Sequence, residues 1–306
     1  IYSFLQQDYP RELYDIIVIS DQMQESTNEA LRQLPVRLLI ADYTDSSKAK
    51  AMSLAMNATA DIPYDAVVIM DADNTAGTSF LSELNPVFQS GARAVQAHRT
   101  AKNTNTDIAV LDAASEEINN SIFRSGHIAL GLSSALIGSG MALEACWFRQ
   151  HIHLLETAGE DKEMEALLLK QRIHIEYLEH VYVNDEKTQK KEGIKNQRKR
   201  WIAAQFDSLV RALPDFPKEL LRGNIDYCDK IFQWMLPPRL IQLAGVFGLT
   251  FVFTVIGLVM SLRNGGNEWT MAIKWWILSV AQVSAMILPV PGGQLFTKEV
   301  GKAIMK

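Results

Sequence analysis

The sequence is poor in the residues and motifs that mark several common classes of site. It has two cysteines in 306 residues, too few for a disulfide framework, and such low usage suits a reducing compartment. Its six histidines show no spacing typical of zinc ligands, and no Walker loop, G-x-S-x-G or G-x-G-x-x-G motif occurs. The formal net charge of −5 argues against a protein whose whole surface binds nucleic acid. The composition, 48% hydrophobic and 21% charged, argues against disorder.

Charge is absent from a long segment near the C-terminus. Residues 240–262 contain no Asp, Glu, Lys or Arg, and a helix of that length, at about 1.5 Å per residue, spans the roughly 30 Å hydrocarbon core of a bilayer. A second apolar run covers about residues 271–290 and contains Lys274. A buried helical hairpin in a large soluble core is the alternative for either run. We expect a membrane region over residues 240–306 with two transmembrane helices.

Basic residues near the two runs predict the orientation of the chain. Arg239 precedes the first run, the turn between the runs has Arg263 as its basic residue, and lysines follow the second run. The positive-inside rule therefore places the body on the cytoplasmic side of an inner or plasma membrane, in a multi-pass topology. Residues 227–239 mix aromatic and charged side chains and predict an interfacial helix. The C-terminal lysines are Lys298, Lys302 and Lys306.

Short apolar runs alternate with helical segments through residues 1–226, which predicts an α/β domain. Because these runs are apolar throughout, we expect a Rossmann-like, mostly parallel sheet that is covered on both faces. The segment from Ile108 to Phe148 has mostly helical composition. The predicted strands are Tyr14–Ser20, Val36–Ile40, Ala66–Met70, Gly91–Ala97 and Ile173–Tyr177.

Acidic residues follow the predicted strands, at the edge where sheets of this kind bind ligands. Asp21 and Asp42 follow the first two strands, and Asp71-Ala72-Asp73 follows the third. Two carboxylates one residue apart at a strand end can share a divalent cation with diphosphate oxygens. Turn or cap acids are the alternative, but the position directly after a buried strand favours the metal site.

Two further segments and one lysine could carry chemistry. Glu160-Asp161 follows Gly159 at a predicted helix start, where acids either complement the helix dipole or act as a general base toward a hydroxyl. Between Lys187 and Arg200 there are seven basic residues and one acid. They form either a solvated or membrane-surface loop or a site for a diphosphate leaving group, with Trp201 offering a flat face to a sugar. Lys48 is either solvated or a phosphate ligand.

Taken in order, these motifs resemble the family 2 glycosyltransferases, which include cellulose, chitin and hyaluronan synthases. The resemblance covers residues 1–240 and implies a GT-A fold, a nucleotide-sugar donor that is most often a UDP-sugar, Mg²⁺ or Mn²⁺, and inversion at the anomeric carbon. Membrane helices complete the pattern. The ordered motifs are Asp21, Lys48, Asp71-Ala72-Asp73, Gly159-Glu160-Asp161 and Gln197-Arg198-Lys199-Arg200-Trp201.

The resemblance also implies a role for each matching residue. Asp161 is expected to be the catalytic base, with Glu160 beside it, and Asp73 is expected to hold the metal together with Asp71. The residues expected to bind the donor are Asp21, Lys48, Asp71 and Arg200. Those expected near the acceptor or the diphosphate are Gln197, Trp201, Gly138, Ser139 and Gly140.

The resemblance implies a membrane-anchored, metal-dependent enzyme that moves a sugar from UDP-GlcNAc or UDP-glucose to a growing polysaccharide or another glycan acceptor. Expected partners are the donor, a glycan or lipid acceptor, the bilayer and further membrane subunits, without nucleic acid. Two alternatives stay open: transfer of a single sugar to a lipid or polyprenyl phosphate, and a catalytically silent membrane scaffold.

The sequence departs from the family pattern in three ways. Ala49 stands where relatives often have glycine. Two membrane spans are visible, whereas polymer-secreting synthases usually carry more. The chain begins in a predicted helix, Ile1–Gln7, with no strand before it. We therefore expect a fragment that lacks the first strand at its N-terminus and further residues at its C-terminus.

Overall fold

The computed structural model describes residues 1–157, 159–189, 191–264 and 269–288. Strands and helices alternate up to residue 185, and helices follow. The strands are β1 Ile17–Asp21, β2 Arg37–Ala41, β3 Ala66–Ile69, β4 Thr75–Ala76, β5 Ala94–Ala101, β6 Met141–Glu144 and β7 Ile175–Asp185. The helices are α1 Tyr2–Leu5, α2 Glu25–Arg32, α3 Lys48–Ala58, α4 Phe80–Gln89, α5 Asp107–Asn119, α6 Gly126–Ala129, α7 Ala145–His151, α8 Glu160–Lys170, α9 Lys191–Ala212, α10 Phe216–Leu221, α11 Ile225–Met235, α12 Arg239–Asn264 and α13 Thr270–Ile287.

The strands form two sheets, and the larger sheet is mixed. β1 and β2 pair in parallel as a two-stranded sheet, and the other five strands lie in the order β3-β6-β5-β7-β4. In the larger sheet β5 and β7 are parallel, whereas the β3–β6, β5–β6 and β4–β7 pairs are antiparallel. The α/β class is confirmed, but the expectation of a mostly parallel sheet is wrong.

The sequence analysis did not predict β4, which has two residues, or β6, which lies within the segment expected to be mostly helical. The residues of β6, Met-Ala-Leu-Glu, all have high helix propensity. They form a strand because they lie between β3 and β5, where both neighbours supply hydrogen-bonding partners. Tertiary context therefore overrides local propensity, and β6, antiparallel to both of its neighbours, contributes to the mixed character of the sheet.

Successive side chains along a strand point to opposite faces of the sheet, and here they pack into two separate hydrophobic clusters. Met141 and Leu143 of β6 pack in one cluster with residues of α7 and α8, such as Phe148 and Leu168. Ala142, between them, packs in the other cluster with residues of α4 and β7. The sheet is thus covered on both faces, as expected.

The second half of the body differs from the prediction at two places. β7 continues to Asp185, well beyond the predicted end at Tyr177, because it pairs in parallel with β5 on both sides of an irregularity at Ala97/His98. The basic segment between Lys187 and Arg200 was predicted as a loop, but residues 191–200 form the N-terminal half of α9, in keeping with the helix propensity of Lys, Arg, Gln and Glu.

The C-terminal helices α12 and α13 pack against each other. Thr250 Oγ1 lies 2.7 Å from Ser279 Oγ, and the rings of Phe253 and Trp275 stack with centroids 5.8 Å apart. Both helices are long and apolar enough to cross a membrane, by length and composition only. The end of the second predicted span and the three C-terminal lysines lie outside the described residues.

Helix α11 covers most of the segment predicted to be interfacial. Tyr227, Ile231 and Trp234 are buried in the larger hydrophobic cluster of the body, while Phe232 and Met235 are exposed. One face of the helix therefore belongs to the core of the body.

Candidate active site

Three segments that are distant in the sequence meet at the side chain of Lys48. Ser47 caps α3 by accepting a hydrogen bond from the amide of Lys50, which places Lys48 at the first position of the helix. Lys48 Nζ donates to the carbonyl oxygen of Gly138 at 2.6 Å and also to Asp71 Oδ1. It lies 3.9 Å from Glu160 Oε1. Because its partners come from a strand end, a loop and a helix start, Lys48 is more than a solvated lysine.

Glu160 and Asp161 face the loop that contains Gly138. A side-chain carbon at Gly138 would lie 3.9 Å from Glu160 Oε1 and 4.0 Å from Asp161 Oδ2. Burial raises the pKa of Glu160, and the neighbouring charge of Asp161 adds to this effect while Lys48 opposes it. Complementing the helix dipole does not require this approach to the loop. We call Lys48, Asp71, Gly138, Glu160 and Asp161 the Lys48 cluster.

The loop Gly138-Ser139-Gly140 is held by side chains from β5. Gln96, fully buried, donates to the carbonyl oxygens of Ser139 and Gly140 at 3.0 and 3.1 Å. Its Oε1 accepts from the amide of Ile137 at 3.1 Å. Gly138 and Gly140 have φ angles of +80° and +64°, in the left-handed region that favours glycine. Sequence reasoning missed Gln96, because one polar residue in a strand that also contains His98 and Arg99 carries no local signal for a distant partner.

Asp73 lies in a concentration of negative charge beyond β3. The side-chain amide of Asn74 donates to Asp73 Oδ1 at 3.1 Å and to Asp185 Oδ1 at 3.0 Å. Burial raises the pKa of Asp73, and the charges of Asp185 and Asp71 raise it further. A divalent cation would relieve this repulsion, so the residues fit a metal at this position.

The described residues contain no group of three or more His, Cys, Asp or Glu side chains arranged to hold a metal. Asp185 was not predicted as a site residue. The run Val183-Asn184-Asp185, where a strand becomes polar at its end, was the available signal.

Asp21 is joined to the start of α3 through Ser46, whose hydroxyl donates to Asp21 Oδ2. The other carboxylate oxygen of Asp21 is buried and has no hydrogen-bond partner among the described residues. The next residue, Gln22, has a φ angle of +54°, which is unusual for a residue other than glycine. Asp21 therefore has one carboxylate oxygen that can accept a further hydrogen bond. Ser46, which contacts the other oxygen, lies two positions before Lys48 in the sequence.

A buried group of charges lies behind the loop. Burial opposes ionisation of Glu116, but Arg99 at 3.0 Å, Lys187 at 3.3 Å and Arg124 at 3.6 Å hold its pKa well below the usual range. Arg99 also donates to the carbonyl oxygen of Ile137, and Lys187 pairs with Asp185 at 2.9 Å. Glu116 thus connects the loop with the acidic end of β7, and local sequence patterns contain no signal for it.

The remaining predicted residues lie on α9. Gln197 Oε1 accepts from Thr188 Oγ1 at 3.3 Å, Arg200 is exposed and Trp201 is 42% exposed. A side-chain carbon at Gly159 would lie 3.0 Å from Ala204 Cβ, so α9 crosses the start of α8 closely. Arg200 is one helical turn before Ala204. Within the described part of the chain, no hydrogen bond or ion pair joins Arg200 or Trp201 to the Lys48 cluster.

The family model described as "Glycosyltransferase like family 2" matches residues 1–204. The chain belongs to this family. A family 2 glycosyltransferase is an enzyme, and the mixed sheet described above is the α/β, GT-A-like fold expected for it. The structure brings the Lys48 cluster together directly. It joins Asp73 to the cluster through Asn74, whose Oδ1 accepts from the amide of Asp71 at 3.2 Å. Gln197, Arg200 and Trp201 lie on the neighbouring helix α9.

Solved structures of other proteins are similar to this chain at low identity. S. aureus TarS 1-349 is 10% identical, with 96% of this chain and 76% of that chain covered and a TM-score of 0.44. A second S. aureus TarS structure is 12% identical with a TM-score of 0.43, and this chain covers 96% of its own length but spans 46% of that one. Glucosyl-3-phosphoglycerate synthase from Mycobacterium tuberculosis, in complex with Mn²⁺, UDP-glucose and phosphoglyceric acid, is 16% identical, with 63% and 67% covered and a TM-score of 0.42. No curated protein matches the chain.

Proposed function

We propose that this chain is the catalytic part of a membrane-anchored, inverting glycosyltransferase that moves a sugar from a nucleotide-sugar to a growing polysaccharide or another glycan acceptor. UDP-GlcNAc and UDP-glucose are the proposed donors. The observation that carries the proposal is the convergence of Lys48, Asp71, Gly138 and Glu160-Asp161 at one point. These are the positions that the family resemblance assigns to the donor, the acceptor loop and the base.

Asp161 is the proposed general base. Its carboxylate lies at the N-terminus of α8, facing the loop at Gly138, where an acceptor sugar would lie. Removal of the proton from the acceptor hydroxyl lets that oxygen attack the anomeric carbon of the donor as the bond to the diphosphate breaks. One displacement of this kind inverts the configuration at that carbon. Glu160, whose pKa is raised by burial, stays beside the base and contacts Lys48.

Lys48, Arg200 and the acids after β3 are the proposed diphosphate site. Asp73 and Asp71 would hold Mg²⁺ or Mn²⁺, which supplies Lewis-acid stabilisation of the diphosphate when bound. The Lys48 ammonium lies between the carboxylates of Asp71 and Glu160. In the proposed complex, a phosphate oxygen of the donor replaces one of these two carboxylates as a partner of Lys48. Arg200 and Trp201 are exposed on α9, free to contact the leaving diphosphate and a sugar ring.

Membrane anchoring through α12 and α13 is part of the proposal. It is supported by two adjacent apolar helices with mean hydropathies of 2.3 and 1.3 over their best windows and by Arg239 before the first of them. The positive-inside rule then places the body in the cytoplasm. Gln197, Arg200 and Trp201 favour polymer synthesis, because transferases that act on simple lipid phosphates generally lack this motif.

The test uses membranes that contain the complete parent protein. A panel of UDP-sugars is supplied with Mg²⁺ or Mn²⁺, release of UDP is followed, and Asp161→Asn is the matched control. Release with one donor that is lost in the control supports the proposal and identifies the sugar. Release that persists in the control contradicts the assigned base, and no release from folded protein with any donor contradicts the proposed donor class. The size of the product separates polymer synthesis from single transfer.

A further inference from the structure

Helix α8 carries a buried carboxylate, Glu165, that the proposed reaction does not use. Glu165 lies four residues after Asp161, on the same face of the helix, and its side chain is 2% exposed. Its Oε1 accepts a hydrogen bond from the backbone amide of Leu136 at 2.5 Å. Leu136 directly precedes Ile137 and the loop Gly138-Ser139-Gly140.

The partner of Glu165 is Lys230 on α11. The Lys230 ammonium is 3.5 Å from Glu165 Oε1, its side chain is also 2% exposed, and it donates to Gln233 Oε1 at 3.3 Å. Burial of both charges is costly, and apolar side chains of similar volume often stabilise a fold at least as well as a buried ion pair. The pair therefore needs a reason other than stability.

The position of Glu165 supplies that reason. The loop is held from β5 by Gln96, which bonds to Ile137, Ser139 and Gly140, and from α8 by Glu165. The bond to Gln96 fixes the loop to the sheet, whereas the bond to Glu165 fixes it to the helix that carries Asp161. A side-chain carbon added at Gly138 would lie 4.0 Å from Asp161 Oδ2. A small movement of the loop relative to α8 therefore changes the distance between the loop and the Asp161 carboxylate.

We propose that Glu165 is a positioning residue: its bond to the Leu136 amide sets the separation between the acceptor loop and Asp161, and Lys230 holds the Glu165 carboxylate in place. The inference rests on the proposed function, because it takes Asp161 as the base and the loop as part of the acceptor site. Helix α11, which precedes the apolar helices, is thereby connected to the catalytic helix.

Two double variants separate positioning from stabilisation. E165Q/K230M removes both charges but keeps a side-chain oxygen that can accept from Leu136, whereas E165L/K230M removes the charges and the acceptor. If Glu165 positions the loop, E165Q/K230M retains UDP-release turnover within about threefold of the parent. Turnover of E165L/K230M falls by about 10- to 100-fold, the loss expected from a displacement on the order of 1 Å at a reacting group, while KM for the donor stays within about twofold.

Glu219→Leu is the matched control. Glu219 is also a carboxylate with a 2% exposed side chain, and its hydrogen-bond partners are Asn224 and Arg222, away from the loop. We expect it to lower thermal stability but to leave turnover per folded molecule unchanged. Turnover in E165L/K230M equal to that in E165Q/K230M overturns the positioning role, provided that Asp161→Asn is inactive. Turnover in Asp161→Asn similar to that of the parent protein instead overturns the assignment of the base on which the inference rests, and no UDP release by the parent protein with any donor overturns the proposed function.

Hydrogen–deuterium exchange tests the tether without any need for activity. In the complete protein, exchange in the segment 133–141 should rise at least tenfold in E165L/K230M, because the Leu136 amide loses its acceptor. It should stay at the parental rate in E165Q/K230M and in Glu219→Leu. Parental exchange in E165L/K230M contradicts the inference, whatever the UDP-release assay shows.

Discussion

The Lys48 cluster and the motif segment of α9, Gln197, Arg200 and Trp201, differ in how the fold holds them. In the cluster, Lys48 bonds to Asp71 and Gly138, and the loop is clamped by Gln96 and Glu165. Arg200 and Trp201 project from a helix surface, with Trp201 42% exposed. The cluster is therefore held by contacts within the body, whereas Arg200 and Trp201 are exposed side chains on the surface of a helix.

The difference suggests how work is divided in the proposed reaction. A base and a loop that the body holds in place lower the cost of orienting the acceptor. Exposed cationic and aromatic groups on a neighbouring helix are suited to contact the leaving group and to stabilise the negative charge that grows on it during the reaction.

Asp161→Asn removes the proposed base while keeping the shape of the side chain. General base catalysis contributes about 10²- to 10⁴-fold, so we expect turnover to fall by about 10³-fold. Donor binding, measured by calorimetry with the UDP-sugar that is active in the panel, should change by less than about twofold, because Asp161 faces the loop. Turnover similar to the parent protein would assign the base to another residue, with Glu160 the next to test.

Arg200→Ala tests the exposed side of the comparison. If Arg200 stabilises the leaving diphosphate, turnover should fall by about 10²-fold, as for the loss of one preorganised donor, while thermal stability is unchanged because the side chain is exposed. Lys195→Ala, which also removes an exposed positive charge from α9, is the control and should retain turnover within about twofold. Equal losses in both variants would indicate a general effect of charge.

Asp73→Ala removes the acid proposed to contact the metal. The affinity for UDP-sugar in the presence of Mg²⁺ should fall by about 10- to 100-fold. Without a divalent cation the variant and the parent protein should bind the donor equally weakly, because the carboxylate then has no cation to hold. An affinity that Mg²⁺ increases equally in both proteins would remove Asp73 from the metal site.

Gly138→Ala introduces strain into the Lys48 cluster. At a φ angle of +80°, a side chain costs about 1–2 kcal/mol, although the nearest atom, Lys48 Nζ, would be 3.7 Å away. We expect turnover to fall by about tenfold as the loop shifts to relieve the strain. Gly77→Ala, where an added carbon meets no atom within 4 Å, is the control. Its turnover should match the parent protein, and an equal loss there would mean that Gly138 has no special role.

Site residues could be predicted where the signal is local in the sequence, and were missed where their partners are distant along the chain. Asp21, Asp71 and Asp73 were recognisable because each follows an apolar strand, and Gly159-Glu160-Asp161 because a helix begins there. Gln96 and Glu165 were missed because their partners are 41 and 29 residues away along the chain, and a single polar residue has no periodic pattern. Strand β6 was missed because its residues favour a helix in isolation, which only the neighbouring strands overrule.

The smallest expected effect concerns the attachment of α11, the helix that holds Lys230. Its Asp229 lies 3.2 Å from His127 Nε2. The hydrogen bond to Asp229 raises the pKa of His127 despite its burial. A raised folded-state pKa contributes stability that is fully present below the ordinary histidine value and is lost as the pH rises through the folded-state value.

His127→Gln should therefore lower the free energy of unfolding by about 1 kcal/mol at pH 5.5, with little effect at pH 9. The measurement is denaturant unfolding of the complete protein in detergent at both pH values. His153→Gln, at an exposed position, is the control and should show no such difference. Equal destabilisation at the two pH values would mean that His127 acts through packing rather than through its charge. If turnover per folded molecule stays unchanged at pH 9, the attachment of α11 through His127 is separable from the positioning that we assign to Glu165.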